Sequence, residues 1–411
     1  MNTDLDASLA IKRSHDEGHA TPSREELIAR AEGLRDLLWA GAADSDRNRR
    51  LNDTTVAALN EAGITRLFTP RRFGGYEADN LTMLEVTMAL ARGDSSAAWV
   101  TGIGTAAAYM VGLLPEQAQA DVWGDNPGAR MSAVLAPTAK TVPVDGGYEV
   151  TGRWGYMSGC LHADWAWISF PAPDIRGLAI AVVPLKDLTI EDTWFVTGMR
   201  GTGSNTLVSD KLFVPSHRVT PLVATTEGYP ANVEAIRSEK QSLYRSSFMG
   251  VFLLSLVGVV IGEVQAARDI VIEKAPSRGV TTSKYFKQSE SVAFQLDLAD
   301  GSAKIETAAT LARDLAREID DFARRDDYPD DQQRGAHRLK CALALKLAHE
   351  AMEIFISAHG SSAFVESNPL SRLWRNVSVA ARHAGFSYRI SEEVYGRLAL
   401  DLDPRTVSDI L

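Results

Sequence analysis

Trp154-Gly155-Tyr156-Met157-Ser158-Gly159-Cys160-Leu161-His162-Ala163-Asp164-Trp165, running into an apolar stretch up to Phe170, is the segment on which the reading of this chain turns. Aromatic residues, a hydroxyl beside a glycine and then an apolar run predict a strand, a small-residue bend and a second strand. In such a bend Ser158 offers a hydroxyl, Gly159 lets backbone approach a flat ligand, and Trp154 and Tyr156 offer apolar faces. An ordinary hairpin with a few core aromatics fits the same residues. The surroundings have to decide.

Around this segment, β character extends over residues 131–221. Short runs at 148–151, 165–170 and 178–183 are separated by Gly, Pro and Asp, and Asp145-Gly146-Gly147 reads as a tight turn. Upstream, from 22 to 123, the spacing is helical, with a capped start at Ser23-Arg24-Glu25-Glu26 and helices over 51–62, 81–91 and 95–114. Downstream of a polar connection at 225–238, long helical patterns over 243–275, 289–325, 332–359 and 369–398 predict a four-helix bundle. The expected fold class is therefore α+β and multidomain. Residues 1–125 form a helical domain with a loose tail over 1–21, residues 126–230 a small β domain, and residues 231–411 the bundle.

A formal charge of −10 over 411 residues, with no cluster of Lys and Arg, argues against a nucleic-acid partner. Two cysteines, Cys160 and Cys341, cannot build a disulfide framework or a zinc site, and they fit a reducing cytoplasm. The first residues lack a basic-then-apolar signal. The longest apolar run, 248–262, is interrupted by glycine and serine and falls short of the ~20 residues that span a bilayer. It is expected to be a helix buried among other helices, with no membrane partner.

The order helical domain, small β domain, helical bundle, together with its motifs, resembles the acyl-CoA dehydrogenase superfamily. The motifs are Leu59-Asn60-Glu61-Ala62-Gly63-Ile64 followed by Pro70 and Gly74-Gly75, and Gly198-Met199-Arg200-Gly201-Thr202-Gly203-Ser204 running into Phe213-Val214-Pro215. The dehydrogenases of this family remove a proton with a glutamate. Here the matching late stretch, Arg375 to Gly385, carries His383 and no carboxylate. With Gly146 to Trp154, Ser158-Gly159, His162 to Trp165 and Trp374-Arg375, this is similar to the family's two-component flavin-dependent monooxygenases. The resemblance implies that a separate NAD(P)H-dependent reductase supplies reduced flavin (FADH2 or FMNH2). The flavin then reacts with O2 to a C4a-hydroperoxide that hydroxylates an aromatic or heteroaromatic small molecule. N-oxygenation of a nucleotide-linked amino sugar and acyl-CoA dehydrogenation are the alternatives.

By the same resemblance, Ser158 sits against flavin N5, Trp99 packs near the isoalloxazine, and Ser132 and Gly159 add contacts. Arg278 and the turn Gly360-Ser361-Ser362 reach a flavin phosphate between subunits of a homotetramer. His383 is the expected catalytic residue, as base or as the group that orients substrate, because histidine titrates near neutral pH. His162, four residues after Ser158, competes with it. In one respect the chain departs from the family: residues 102–109 carry no histidine where some aromatic hydroxylases hold a phenol. Small residues there leave room for an indole or polycyclic substrate, or simply allow helices to pack.

Overall fold

The computed structural model describes residues 21–226 and 242–411. The tail expected over 1–21 lies, but for Thr21, outside them, as does most of the connection at 225–238 with the boundary expected at 230–231.

The first helices are α1 (Arg24–Gly33), α2 (Arg35–Asn48), α3 (Asp53–Glu61), α4 (Asn80–Ala91), α5 (Ser95–Gly112) and α6 (Glu116–Trp123). The capping box read at Ser23 is present, with Ser23 and Glu26 each accepting the other's backbone N–H. Strands β1 (Met131–Ala133), β2 (Ala139–Val144), β3 (Gly147–Met157), β4 (Trp165–Pro171), β5 (Leu178–Pro184), β6 (Thr189–Glu191), β7 (Asn205–Pro215) and β8 (Val219–Pro221) follow. They form two sheets, ordered β1-β4-β5-β8 and β2-β3-β7-β6. Trp154, Ile168, Phe170, Val183 and Leu207 fill the core of this β region. The short helix α7 (Leu222–Thr226) then leads to α8 (Phe248–Lys274), α9 (Val292–Arg324), α10 (Asp331–His359), α11 (Pro369–Ala380) and α12 (Tyr388–Ala399).

Two expectations need correction. The helix read over 369–398 is two helices, α11 and α12, because His383 leaves helical backbone at ψ 138° and its ring accepts the Gly385 N–H, capping a short 3-10 turn at Ala384–Phe386. The apolar periodicity continues across the break because both helices bury a face, so spacing alone did not mark it. The apolar segment starting at Phe248 is long enough to span a bilayer once its full helix is counted, but 89% of its apolar window is buried inside the protein. It is the central core helix. Where a Cβ on Gly262 would stand 2.2 Å from Met88 O and one on Gly102 would stand 2.2 Å from Ser255 O, α4 and α5 press directly on α8.

The β region is tied to the helices at points that matter for the site. Trp167 Nε1 donates to Ala107 O of α5 (3.1 Å), which lays β1 and β4 along that helix. Asp320 of α9 accepts from the first N–H groups of α4 (Asn80 N at 2.9 Å, Leu81 N at 3.1 Å), fixing the first helices to the bundle.

Candidate active site

A cavity of about 1010 Å³ opens where α5, the β region, α8 and α11 meet. It brings together three residues far apart in the sequence. Trp99 Nε1 donates to Ser158 Oγ (3.2 Å), and the Trp99 and His383 rings meet edge to face with centroids 5.6 Å apart. β3 delivers Ser158 through an irregularity between Trp154 and Met157, where Tyr156 adopts φ 62°. That kink turns the Tyr156 ring outward, 73% exposed, onto the cavity rim against Trp194 (5.6 Å). Trp154 instead lies in the β core, its Nε1 donating to Ser169 O (2.8 Å).

The hydroxyls around Ser158 have a definite sense. A carbonyl only accepts, so the 2.8 Å contact of Thr202 Oγ1 with Met199 O commits the Thr202 proton to that bond. At the 2.7 Å contact with Thr202 the donor is then Ser204, and at 2.8 Å from Ser204 the donor is Ser158. Since Trp99 also donates into Ser158, the Ser158 oxygen turns a lone pair, not a proton, toward the cavity. This fits the N5–H of a reduced flavin, a donor, and not the bare N5 acceptor of an oxidised one. Thr202 and Ser204 belong to a stretch that the sequence flagged only as a family landmark, and their role was missed. Two hydroxyls spaced by one glycine in that motif were the available signal.

His383 stands half-buried on the cavity wall among the rings of Trp99, Phe252 (5.8 Å) and Phe386 (5.9 Å). This apolar setting pushes its pKa down to about 4, so the ring is neutral near pH 7. Nδ1 accepts from Gly385 N (3.2 Å), which assigns the remaining proton to Nε2. His383 therefore presents an N–H donor.

The other candidates fall elsewhere. Gly159, at φ 77°, lies close to α5, where a Cβ would stand 2.7 Å from Val100 Cγ1. With His162 it lines a separate cavity of about 50 Å³ next to Leu51 and Val56. Burial, then the Arg50 charge, lowers the His162 pKa, and its Nε2 is buried without a partner among the described residues. Ser132 is fully buried in β1, its Oγ without a partner among the described residues, while its neighbours Ala133 to Ala136 line the cavity. Arg278 donates to Ser362 Oγ (2.7 Å) and His359 O (3.1 Å), so it does meet the Gly360-Ser361-Ser362 turn, away from the large cavity.

A buried network holds the Thr202 loop in place. Glu263 Oε1 accepts from Ser95 Oγ (2.7 Å) and Asn376 Nδ2 (3.1 Å), and Asn376 Oδ1 accepts from Met199 N (2.7 Å). Gly198 allows this closeness, since a Cβ there would stand 2.1 Å from Arg375 O. Burial pushes Glu263 up to about 8, well above 4.5, so it is a neutral acid at pH 7. With the folded pKa raised, the linked stability is full below pH 4.5 and is lost as pH rises through about 8. Glu263→Gln keeps an acceptor and cannot ionise. Its melting temperature should stay level between about pH 6 and 9, where the parent should fall by a few degrees. An equally level parent curve would show that Glu263 takes no extra proton on folding.

Comparison with known proteins identifies the family. The family description "Acyl-CoA dehydrogenase, N-terminal domain" matches residues 30–124, and "Acyl-CoA dehydrogenase, C-terminal domain" matches residues 254–388. The chain is 30% identical over 383 residues to a pigment production hydroxylase from a Rhodococcus species, covering 92% of this chain and 97% of that one. It is 28% identical to the oxygenase component of an FADH(2)-dependent resorcinol hydroxylase from a Rhizobium species, covering 94% and 96%. Among solved structures, XiaF from a Streptomyces species, in complex with FADH2 and glycerol, superposes with a TM-score of 0.85 at 33% identity over 98% of this chain and 99% of that one. The chain belongs to the acyl-CoA dehydrogenase superfamily, in its branch of two-component flavin-dependent monooxygenases, and uses reduced flavin and O2.

Proposed function

We propose that this oxygenase hydroxylates an aromatic or heteroaromatic small molecule of indole or larger size. The observation that carries the reading is the Trp99–Ser158–His383 cluster beside an apolar wall of Ile103, Ala106, Met110, Phe248, Met249 and Phe252. Reduced flavin, when bound, would supply the oxygen chemistry. The chain's own groups do the rest. Ser158 accepts the N5–H, the aromatic wall keeps water out, and His383 Nε2–H orients the substrate oxygen. Both expectations for residues 102–109 find support here, since Gly102 packs against α8 while Ile103 and Ala106 face the cavity.

A nucleotide-linked amino sugar would bury many hydroxyls against this wall, which gives them few partners. For acyl-CoA dehydrogenation a carboxylate base is needed. The cavity-lining carboxylate among the described residues is Glu353, held by Trp374 Nε1 (2.8 Å). The test is mass spectrometry of products after incubating the protein, a flavin reductase, NAD(P)H and pooled aromatic or amino-sugar compounds under labelled oxygen. One labelled oxygen atom in an aromatic product is expected, and oxygen consumption yielding only peroxide with every pool would count against the reading.

The partners proposed with it are a separate reductase and three further copies of this chain. Around Arg278, the buried Arg278 Nε, His359 Nδ1 and Gln288 Oε1 lack partners among the described residues. Nearby sequence exposes Tyr285 (41%), Phe286 (88%), Phe364 (51%) and Val365 (53%). Both features suit a subunit interface at which Arg278, Gly360, Ser361 and Ser362 meet a neighbour's flavin phosphate. Sedimentation should show a tetramer.

A further inference from the structure

The cavity lined by Phe248, Met249 and Phe252 also carries a cation that neither the flavin nor His383 accounts for. Arg338 of α10 is 6% exposed and lines the cavity. Its Nη1 donates to two neutral oxygens of the C-terminal segment, Ser408 Oγ (2.8 Å) and Ile410 O (2.7 Å). Nε is buried without a partner, and no hydrogen bond from Nη2 exists among the described residues. Its neighbours on α10 engage carboxylates of their own, Arg334 pairing with Asp331 of the same helix and Lys340 with Glu318 of α9. Among the described residues no ion pair reaches Arg338, and burial lowers its pKa.

A buried guanidinium with no counter-charge among the described residues is costly to keep out of water. Nε is closed off from the cavity, which leaves Nη2 as the charged N–H donor available to an anion. The cation is distinct from Arg375, which lies on the β side of the cavity, paired with Asp46 (3.0 Å) and donating to Thr197 O.

We propose that Arg338 anchors an anionic group of the substrate, a carboxylate on a side chain of the aromatic ring, with the ring lying along Phe248 and Phe252 toward His383. This rests on the oxygenase reading and adds a substrate class to it. The test uses binding only, in anaerobic equilibrium dialysis with reduced FAD present, so that it stands or falls apart from turnover. The probes are 3-(4-hydroxyphenyl)propionate and its neutral counterpart 4-propylphenol.

The parent protein is expected to hold the acid tighter than the phenol by roughly ten- to hundredfold. Arg338→Met, which keeps the apolar stem, should erase that preference by weakening the acid alone. Ser408→Ala, which loosens the C-terminal segment but keeps the charge, should retain it. Four results would overturn the assignment. The acid fails to bind the parent, or binds no better than the phenol. The preference survives Arg338→Met, as it would if water filled the adjacent cavity of about 10 Å³ and served Nη2. Ser408→Ala removes the preference as fully as Arg338→Met does, marking a packing effect. Finally, Arg338→Met weakens FMN but not riboflavin, which would make the anion the flavin's phosphate.

Discussion

His383→Ala is expected to keep reduced flavin at near-parental affinity while product per flavin oxidised falls on the order of tenfold or more, the balance appearing as hydrogen peroxide. The ring contributes an Nε2–H to the cavity, and loss of a charge-free donor at the reacting oxygen leaves substrate poorly aligned without touching the Trp99–Ser158 contact. The same geometry distinguishes donor from base. Gly385 N–H occupies Nδ1, so a base role would need that bond broken or the proton moved. His383→Gln, which keeps an N–H donor and is no base, should restore much of the coupling.

The pH dependence follows from the burial. With the folded pKa lowered from 6.5 to about 4, the ring stays neutral through the ordinary assay range. The unfolded chain takes up the proton first as pH falls through 6.5, so His383 costs stability progressively from there down to about pH 4. The coupling ratio should therefore show no break near 6.5. A break there, with His383→Gln as uncoupled as His383→Ala, would overturn the donor assignment and restore the base.

The second large effect is expected at Thr202, which does not need to touch the flavin. Thr202→Val keeps the shape of the side chain and removes the acceptor for Ser204, whose proton is then free to turn toward Ser158. Ser158 can in turn present its proton to the cavity. The parent should favour reduced over oxidised flavin. In Thr202→Val that ratio of dissociation constants should shrink by about three- to tenfold, mainly through tighter oxidised flavin. Ser158→Ala should weaken the reduced form without this gain. The readout is two flavin titrations, one anaerobic with dithionite, and an unchanged ratio in Thr202→Val would refute the one-way hydroxyl chain. General loss of folding would weaken both forms together, which sets it apart.

Much of this enzyme was legible locally. Helix starts at Ser23 and strands such as Trp165–Pro171 follow from capping and short-range patterning, which act between near neighbours. Ser158, Trp99 and His383 were named from motif positions. What the patterning missed lies where a local signal has two outcomes. At Gly159 the glycine signals a close approach, and on its Cβ side that approach is to Val100 of α5. The break at His383 hides because apolar spacing runs through it.

The sequence by itself determined the order of helical and β segments, the family they form and a short list of reactive side chains, because periodicity, caps and motifs are written in consecutive residues. The tertiary structure alone decided how those side chains act. The Trp99–Ser158 bond joins residues 59 apart, and the Glu263–Asn376 bond behind the Thr202 loop joins residues 113 apart. The direction of the Ser158 hydroxyl proton and the surroundings of Arg338 are set by which groups arrive from distant elements, and no spacing in the chain encodes them.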